Sequence, residues 1–281
     1  MEIINSPAQM QQYALSVKRQ GKKVGLIPTM GYLHKGHLTL MKEAKRECDV
    51  VVASIFVNPI QFGLGEDYEE YPWDLTRDVG LAKEVGVDVI FAPRVSDMYP
   101  QGYHTFIQIE SLTERLCGAS RPGHFRGVAT VVAKLFNITQ PDFAYFGQKD
   151  AQQVIVIERM VEDLNMPLKI VRVPIVREDD GLAMSSRNVY LNSEERRQAL
   201  VLFASLKAAK SMVAQGERDA ATIKEKLKEL ISKAPLADID YIEIVDGKTV
   251  QPVEELSGEI LIALAVRFGR TRLIDNIILE V

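Results

Sequence analysis

At 281 residues, with 47% hydrophobic and 26% charged positions, the chain can form one large or two ordinary domains around a sizeable core. A formal net charge of −4 excludes a nucleic-acid surface as its main business, so any anionic ligand must be met by local positive sites. The 2 cysteines, Cys48 and Cys117, form no Cys-x-x-Cys pair, which excludes the usual zinc site and fits free thiols in a reducing compartment.

The opening residues Met1 to Pro7 lack the basic and apolar regions of a signal peptide. No apolar run approaches the roughly 18 residues of a membrane span, so a cytoplasmic location and no membrane partner are expected. Residues 23–27 read as a short buried strand. After them, Leu38, Met41, Ala44 and Cys48 recur at helical spacing, predicting a helix over 36–47. Residues 49–57 are a β-branched run, the mark of a strand covered on both faces. A helix follows at 74–85, a short strand at 87–91 and a helix at 126–138. A strand at 143–146, a helix at 150–164 and a strand at 168–173 complete the alternation, which predicts a parallel sheet with helices on both faces.

The pattern changes at 176–181, where Arg177-Glu178-Asp179-Asp180-Gly181 interrupts it, and a domain boundary is expected there. Asn192 with Glu195 suits a capping box opening a helix that runs to about Gln215. A second helix covers 219–232. Antiparallel strands are expected at 239–245, 259–267 and 272–279, the first ending in an Asp246-Gly247 turn. The fold class is thus α/β: a Rossmann-like domain over 1–176 and a smaller α+β domain over 177–281.

The most informative segment is His34-Lys35-Gly36-His37. It lies at a strand-to-helix turn, where free backbone N–H groups and the helix dipole attract anions. Histidines three apart share a helix face and can address one anion, and Gly36 lets a flat ring or phosphate approach the backbone. The plain alternatives are that they cap the helix or bind a stray metal. Asn58-Pro59-Ile60-Gln61-Phe62, after the 49–57 strand, presents neutral amides suited to a small polar ligand, or simply a turn. Gly147-Gln148-Lys149-Asp150 follows another strand. There Lys149 can sit on a phosphate, Asp150 is expected to cap the next helix, and Gln153 lies one turn along. Met184-Ser185-Ser186-Arg187 offers hydroxyls and a guanidinium in a segment expected to be flexible, suited to the outer phosphates of a triphosphate.

Together these segments resemble the nucleotidyltransferase superfamily, which includes class I aminoacyl-tRNA synthetases. Ile27 to His37, Ser54 to Phe62, Tyr145 to Gln153 and Asp180 to Leu191 resemble, in order and spacing, the signatures of the pantothenate synthetase family. The resemblance implies a ligase that joins pantoate to β-alanine through a pantoyl adenylate, with ATP as substrate and Mg²⁺ required. It also implies a cytoplasmic homodimer. The C-terminal domain is expected to work as a lid, because Met184 to Arg187 sit just after the domain junction and an acyl adenylate must be kept from water. The strand at 49–57, with an apolar face to be covered, adds a reason to expect dimerisation through the N-terminal domain.

By the same resemblance, ATP is held by Met30, Gly31, Tyr32, Leu33, His34, Lys35, Gly36 and His37, by Gly147, Gln148, Lys149 and Asp150, and by Val176, Met184, Ser185, Ser186 and Arg187. The catalytic set is His37, usually given the proton-donor role, with His34, Lys149 and Arg187. Gln61 and Gln153 hold pantoate, with Gln61 also near β-alanine. Gln148 stands where many family members have glutamate. Ala183 takes the place of the first lysine of the synthetases' Lys-Met-Ser-Lys-Ser loop. Metal ligands are not legible, beyond Asp78 as a water-mediated contact. A rival enzyme would move AMP onto a phosphate acceptor, but neutral Gln61 and Gln153 offer such an acceptor no cation. A regulatory nucleotide-binding module would need no second pocket.

Overall fold

Runs of β-branched residues bounded by helical patterns bury themselves by pairing in parallel, and the first part of the chain does this. The computed structural model describes residues 1–63 and 65–281. Its first compact unit comprises Met1–Glu110, Arg121–Gln148 and Val156–Pro174. There, among the described residues, six strands form one sheet: β1 (Glu2–Ile4), β2 (Val24–Thr29), β3 (Val50–Ile55), β4 (Val89–Phe91), β5 (Phe143–Gly147) and β6 (Lys169–Val173). The order is β1-β4-β3-β2-β5-β6 and every neighbouring pair is parallel. The chain winds one way from β2 to β4 and then crosses to β5 on the other side of β2. Such a reversal opens a crevice beyond the carboxyl ends of the strands, where ligands bind in folds of this kind.

The helix Lys35–Glu47 buries Leu40, Met41 and Ala44 in a core shared with Ile27, Val51, Ala53 and Ile90. Every residue of β3 is buried within the single chain, between β2 and β4. The apolar strand at 49–57 therefore does not itself call for a second subunit. β2 runs two residues further than expected, its register continuing through Pro28↔Ser54 and Thr29↔Ile55. β1 and the helix Pro7–Arg19 were not expected from the sequence. The signal for the helix is present nonetheless. Ser6 caps it, Pro7 opens it, and Met10, Ala14 and Val17 form its buried face.

The second compact unit comprises Ser111–Ser120, Lys149–Ile155 and Ile175–Val281. Its antiparallel sheet, β7 (Ala237–Asp246), β8 (Glu259–Phe268) and β9 (Thr271–Glu280), has β8 in the centre. Ile260, Ile262, Leu264 and Val266 of β8 form a core with Leu202 and Leu206 of the helix Val201–Ala214 and with Ile223 and Leu227 of Ala220–Ile231. The helix expected from Asn192 to Gln215 is two, Ser193–Ala199 and Val201–Ala214, meeting at Leu200. The capping box at its start is present, with Asn192 and Glu195 as partners. Asp246 makes its turn by accepting from Lys248 N and Thr249 N, but residues 247–258 intervene before β8, so this is no tight hairpin. Gln152 holds the two early segments of this unit to each other. Its buried amide accepts from Cys117 N at 2.9 Å and donates to Leu112 O and Arg115 O at 2.9 and 2.8 Å.

Candidate active site

β2 ends at Thr29, whose hydroxyl donates to Ser54 O at 2.8 Å and accepts from Gly31 N at 3.2 Å, turning the chain out of the sheet. Gly31 takes φ 86°, and a Cβ there would stand 3.0 Å from Asp78 Oδ2. Tyr32 takes φ 49°, a left-handed conformation that costs a non-glycine residue on the order of 1–2 kcal/mol. The strain is held by Asp78, fully buried, whose two oxygens accept from Tyr32 N and Leu33 N, each at 2.7 Å. Burial pushes the Asp78 carboxyl above its ordinary value, opposed by those two N–H groups. Arg77 closes the turn, donating to Leu33 O at 2.9 Å with its guanidinium 4.7 Å from the Tyr32 ring centre. Asp78, expected as a water-mediated magnesium contact, instead spends its carboxylate on this loop. Leu33, fully buried, pins the same loop into the core, a burial worth about 2 kcal/mol.

That turn delivers His34 as the cap of the helix Lys35–Glu47. His34 Nδ1 accepts from Gly36 N at 3.1 Å, and His37 Nδ1 accepts from His34 N at 3.3 Å. The rings stack with centres 4.0 Å apart, tilted by 33°. Both Nδ1 lone pairs are committed to backbone N–H groups, so each neutral ring carries its proton at Nε2. Protonating either Nδ1 would set N–H against N–H. The cap therefore prepares two Nε2–H donors at a positive helix terminus. The cap uses the Nδ1 end of each imidazole, so the capping reading is met without opposing the anion-binding one.

Gln61 closes the 3₁₀ turn Pro59–Gln61 after β3 and is buried. Its Oε1 accepts from Asn58 Nδ2 at 2.9 Å and its Nε2 donates to Met30 Sδ at 3.1 Å. Asn58 Nδ2 also donates to Gly127 O at 3.2 Å, and Tyr99 Oη donates to Asn58 Oδ1 at 2.7 Å. The backbone of Gln61 is held as well. His124 Nδ1 donates to its carbonyl at 2.9 Å, which leaves His124 Nε2 to accept from Arg121 Nη1 at 3.0 Å. Arg121 in turn grips both Glu66 oxygens, at 2.7 and 2.6 Å. Burial alone would raise the Glu66 carboxyl, but the Arg121 guanidinium outweighs it and holds the group below its ordinary value. The helix His124–Thr139 comes close here because residue 127 is glycine. A Cβ on Gly127 would lie 2.4 Å from Ile60 O.

Lys149, Asp150, Gln153 and Met184 to Arg187 belong to the second unit, and Gly147 and Gln148 end the β5 segment of the first. Lys149 is tied through its carbonyl, which accepts from Asn276 Nδ2 at 2.9 Å, while its ammonium lies 3.8 Å from Asp150 Oδ2. Asp150 does not cap the helix Ala151–Asp163; the 3₁₀ turn Gln148–Asp150 runs straight into it. Gln153 is half-buried in that helix's first turn, and among the described residues its amide has no hydrogen bond.

Val176 O accepts from Met184 N at 3.0 Å, and Arg177 bridges Ala183, so the segment at the expected domain boundary is folded back on itself. Arg177 is bidentate on buried Asp275, and Asn188 donates to Glu178 Oε1 at 2.8 Å. Ser185 Oγ accepts from Arg187 N at 3.3 Å, capping the 3₁₀ turn Ser186–Tyr190. The Ser-Ser-Arg loop is thus anchored at both ends within its own unit.

A family model described as Pantoate-beta-alanine ligase matches residues 2–278. The chain belongs to the pantoate–β-alanine ligase family. It is 61% identical over 281 residues to the pantothenate synthetase of Heliobacterium modesticaldum, covering all of both chains. Pantothenate synthetase of Thermus thermophilus superposes with a TM-score of 0.94 at 48% identity, over 99% of each chain. The pantoate-beta-alanine ligase of Francisella tularensis, complexed with beta-gamma ATP and beta-alanine, gives 0.80 at 36% identity, over 99% of this chain and 97% of that one. The expected sheet architecture and the expected family are both met. The sequence reading of this candidate site missed Tyr99, Arg121, His124, Gly127 and Glu66. One signal was available: histidine is scarce, with 4 in the chain, and His34, His37 and His124 all serve these two loops.

Proposed function

We propose that this chain condenses pantoate with β-alanine at the expense of ATP, using the residues named above. ATP is the substrate that activates the acid. Pantoate's carboxylate attacks the α-phosphate and pyrophosphate leaves. The amine of β-alanine then attacks the acyl carbon of pantoyl adenylate, giving pantothenate and AMP.

The observation that carries the residue assignment is the reciprocal histidine cap. His34 and His37 serve as Nε2–H donors to phosphate oxygens, strengthening as charge gathers there in the transition state. They act as hydrogen-bond donors, with Lys149 and Arg187 adding full positive charges. Ser185 and Ser186 donate to the outer phosphates, and Met30 to His37, Gly147 to Asp150, Val176 and Met184 complete the nucleotide contacts. Gln61 and Gln153 position pantoate. Neutral amides suit this task, since a guanidinium on the attacking carboxylate would blunt the nucleophile.

No group of three His, Cys, Asp or Glu that could hold a metal occurs among the described residues. Mg²⁺ is proposed on the family resemblance as a companion of the ATP phosphates, whose charge it would neutralise. A cytoplasmic homodimer is proposed on the family resemblance, and a monomer by sedimentation at micromolar concentration would overturn the dimer. No described helix is long and apolar enough to cross a membrane.

The deciding assay is ATP–pyrophosphate exchange with and without pantoate. Exchange should require pantoate; exchange indifferent to it removes the assignment. The loop carrying Arg187 is further proposed to shield the adenylate from water. Arg187→Ala should then form more AMP than pantothenate in the presence of β-alanine. A ratio that stays at unity while turnover falls leaves Arg187 with a charge role only.

A further inference from the structure

Gln61 needs more than the right place; its amide must also point the right way. An amide presents a donor at one end and an acceptor at the other, and a 180° flip exchanges them with little change in shape. Around Gln61 the choice is forced from outside. Gly127 O, a backbone carbonyl, can only accept, so the Asn58 atom 3.2 Å from it is Nδ2. The same Nδ2 lies 2.9 Å from Gln61, so the atom facing it is Oε1, and Gln61 Nε2 is turned toward Met30 Sδ. A thioether accepts weakly, so a substrate oxygen can take that N–H₂ from it. What remains is the other end of Asn58. Its Oδ1 is buried with the rest of the side chain, which is 1% exposed, and it meets Tyr99 Oη at 2.7 Å.

We propose that Tyr99 is a positioning residue for substrate binding, acting through Asn58 to keep Gln61 turned with its N–H₂ as the donor offered to pantoate. This rests on the reading that Gln61 holds pantoate. The chain of polarity is Tyr99 O–H to Asn58 Oδ1, Asn58 Nδ2 to Gln61 Oε1, and Gln61 Nε2 outward. Tyr99 is suited to its end of the chain. Burial raises its phenol above the ordinary tyrosine value, so it stays an O–H donor across the working pH range. Its ring is fixed by Phe56 and Tyr103, with ring centres 6.1 and 5.1 Å away. Without the hydroxyl, Asn58 Oδ1 is a buried acceptor with nothing to accept from. Only the 3.2 Å bond to Gly127 O then still sets the Asn58 amide, so Asn58, and through it Gln61, is held less firmly in this orientation.

The test is a double-mutant cycle of Tyr99→Phe and Gln61→Ala, reading the pantoate Kd by calorimetry and the KM for pantoate and for ATP wherever turnover persists. Tyr99→Phe should keep the wild-type Tm within a few degrees and leave the ATP KM unchanged. It should weaken pantoate about tenfold, the worth of roughly one buried hydrogen bond. In the Gln61→Ala background the same substitution should change pantoate binding by less than about twofold, because no amide is left to orient. A Tyr99→Phe effect that persists in full in that background, or that falls equally on ATP and pantoate, makes Tyr99 an ordinary packing residue and overturns the proposal. Wild-type pantoate binding in Tyr99→Phe overturns it too. Gln61→Ala that binds pantoate normally fails earlier: it removes Gln61 from the pantoate site, and this proposal with it.

Discussion

The two imidazole ends of His34 predict different consequences for different replacements. His34→Ala removes both the Nδ1 acceptor for Gly36 N and the Nε2–H. Loss of a helix cap costs about 1 kcal/mol, and loss of one transition-state donor typically costs on the order of 10²–10³ in rate. His34→Ser separates the two. Serine is among the best capping residues and its Oγ can accept from the first-turn N–H groups, but it is too short to reach where Nε2 stood. We expect His34→Ser to recover most of that ~1 kcal/mol relative to His34→Ala in urea denaturation. Pantoate-dependent ATP–pyrophosphate exchange should stay down by on the order of 10²–10³ in both variants. Comparing the two variants with each other cancels most unfolded-state effects. If exchange returns together with stability in His34→Ser, the histidine is a cap and nothing more, and the argument from the tautomer is wrong.

Other consequences follow from the same two loops. Asp78→Asn turns one of the two 2.7 Å acceptors into a donor facing a backbone N–H, and should cost about 3 kcal/mol with weakened ATP binding; stability within ~0.5 kcal/mol of wild type would mean that Asp78 does not hold the Tyr32 strain. Gly127→Ala drives a Cβ into Ile60 O and Gln61 Cα, so it should cost about 1–3 kcal/mol and raise the pantoate KM on the order of tenfold or more, with ATP binding largely kept. The folded-state carboxyl of Glu66 lies below its ordinary value of 4.5, so its pairing with Arg121 contributes stability above that pH and is lost as pH falls through the lowered value. The stability gap between wild type and Glu66→Gln should therefore shrink on acidification below about pH 4.5, and a gap that stays constant refutes the pairing.

The sheet was legible because its strands are buried on both faces, and such strands read as apolar runs whatever their partners are. Residues 49–57 announce β3 in this way, and 143–146 announce β5. Partners across the chain were not legible. Asp78 reads as an ordinary first-turn helix acid, and nothing local says that its carboxylate is spent on Tyr32 and Leu33, more than forty positions earlier. Tyr99 follows a four-residue helix and lies 41 positions from Asn58. Asp150 shows the opposite failure. The local rule for a helix cap was sound, but a 3₁₀ turn already supplies the entry to the helix and the carboxylate is left beside Lys149. Hydrophobic period is a local property, whereas the orientation of a polar side chain is settled by whatever the fold brings to its other end.

That difference explains why these loops carry so much polar scaffolding. A phosphate can be met by any donor that reaches it, so in the proposed role His34 and His37 need only their tautomer fixed, and the helix they cap fixes it. A carboxylate that must stay nucleophilic asks for a weaker and better-aimed partner. Gln61 is proposed as such a partner, and an amide is only as well aimed as the groups that forbid its flip. Asn58, Tyr99 and Gly127 hold its side chain, while His124, Arg121 and Glu66 hold its backbone. A cation at position 61 would need no such apparatus, since a charge attracts a carboxylate from any angle, but it would lower the reactivity of the oxygen that has to attack ATP. The length of the chain of hydrogen bonds behind Gln61 follows from the neutrality of the side chain at its end.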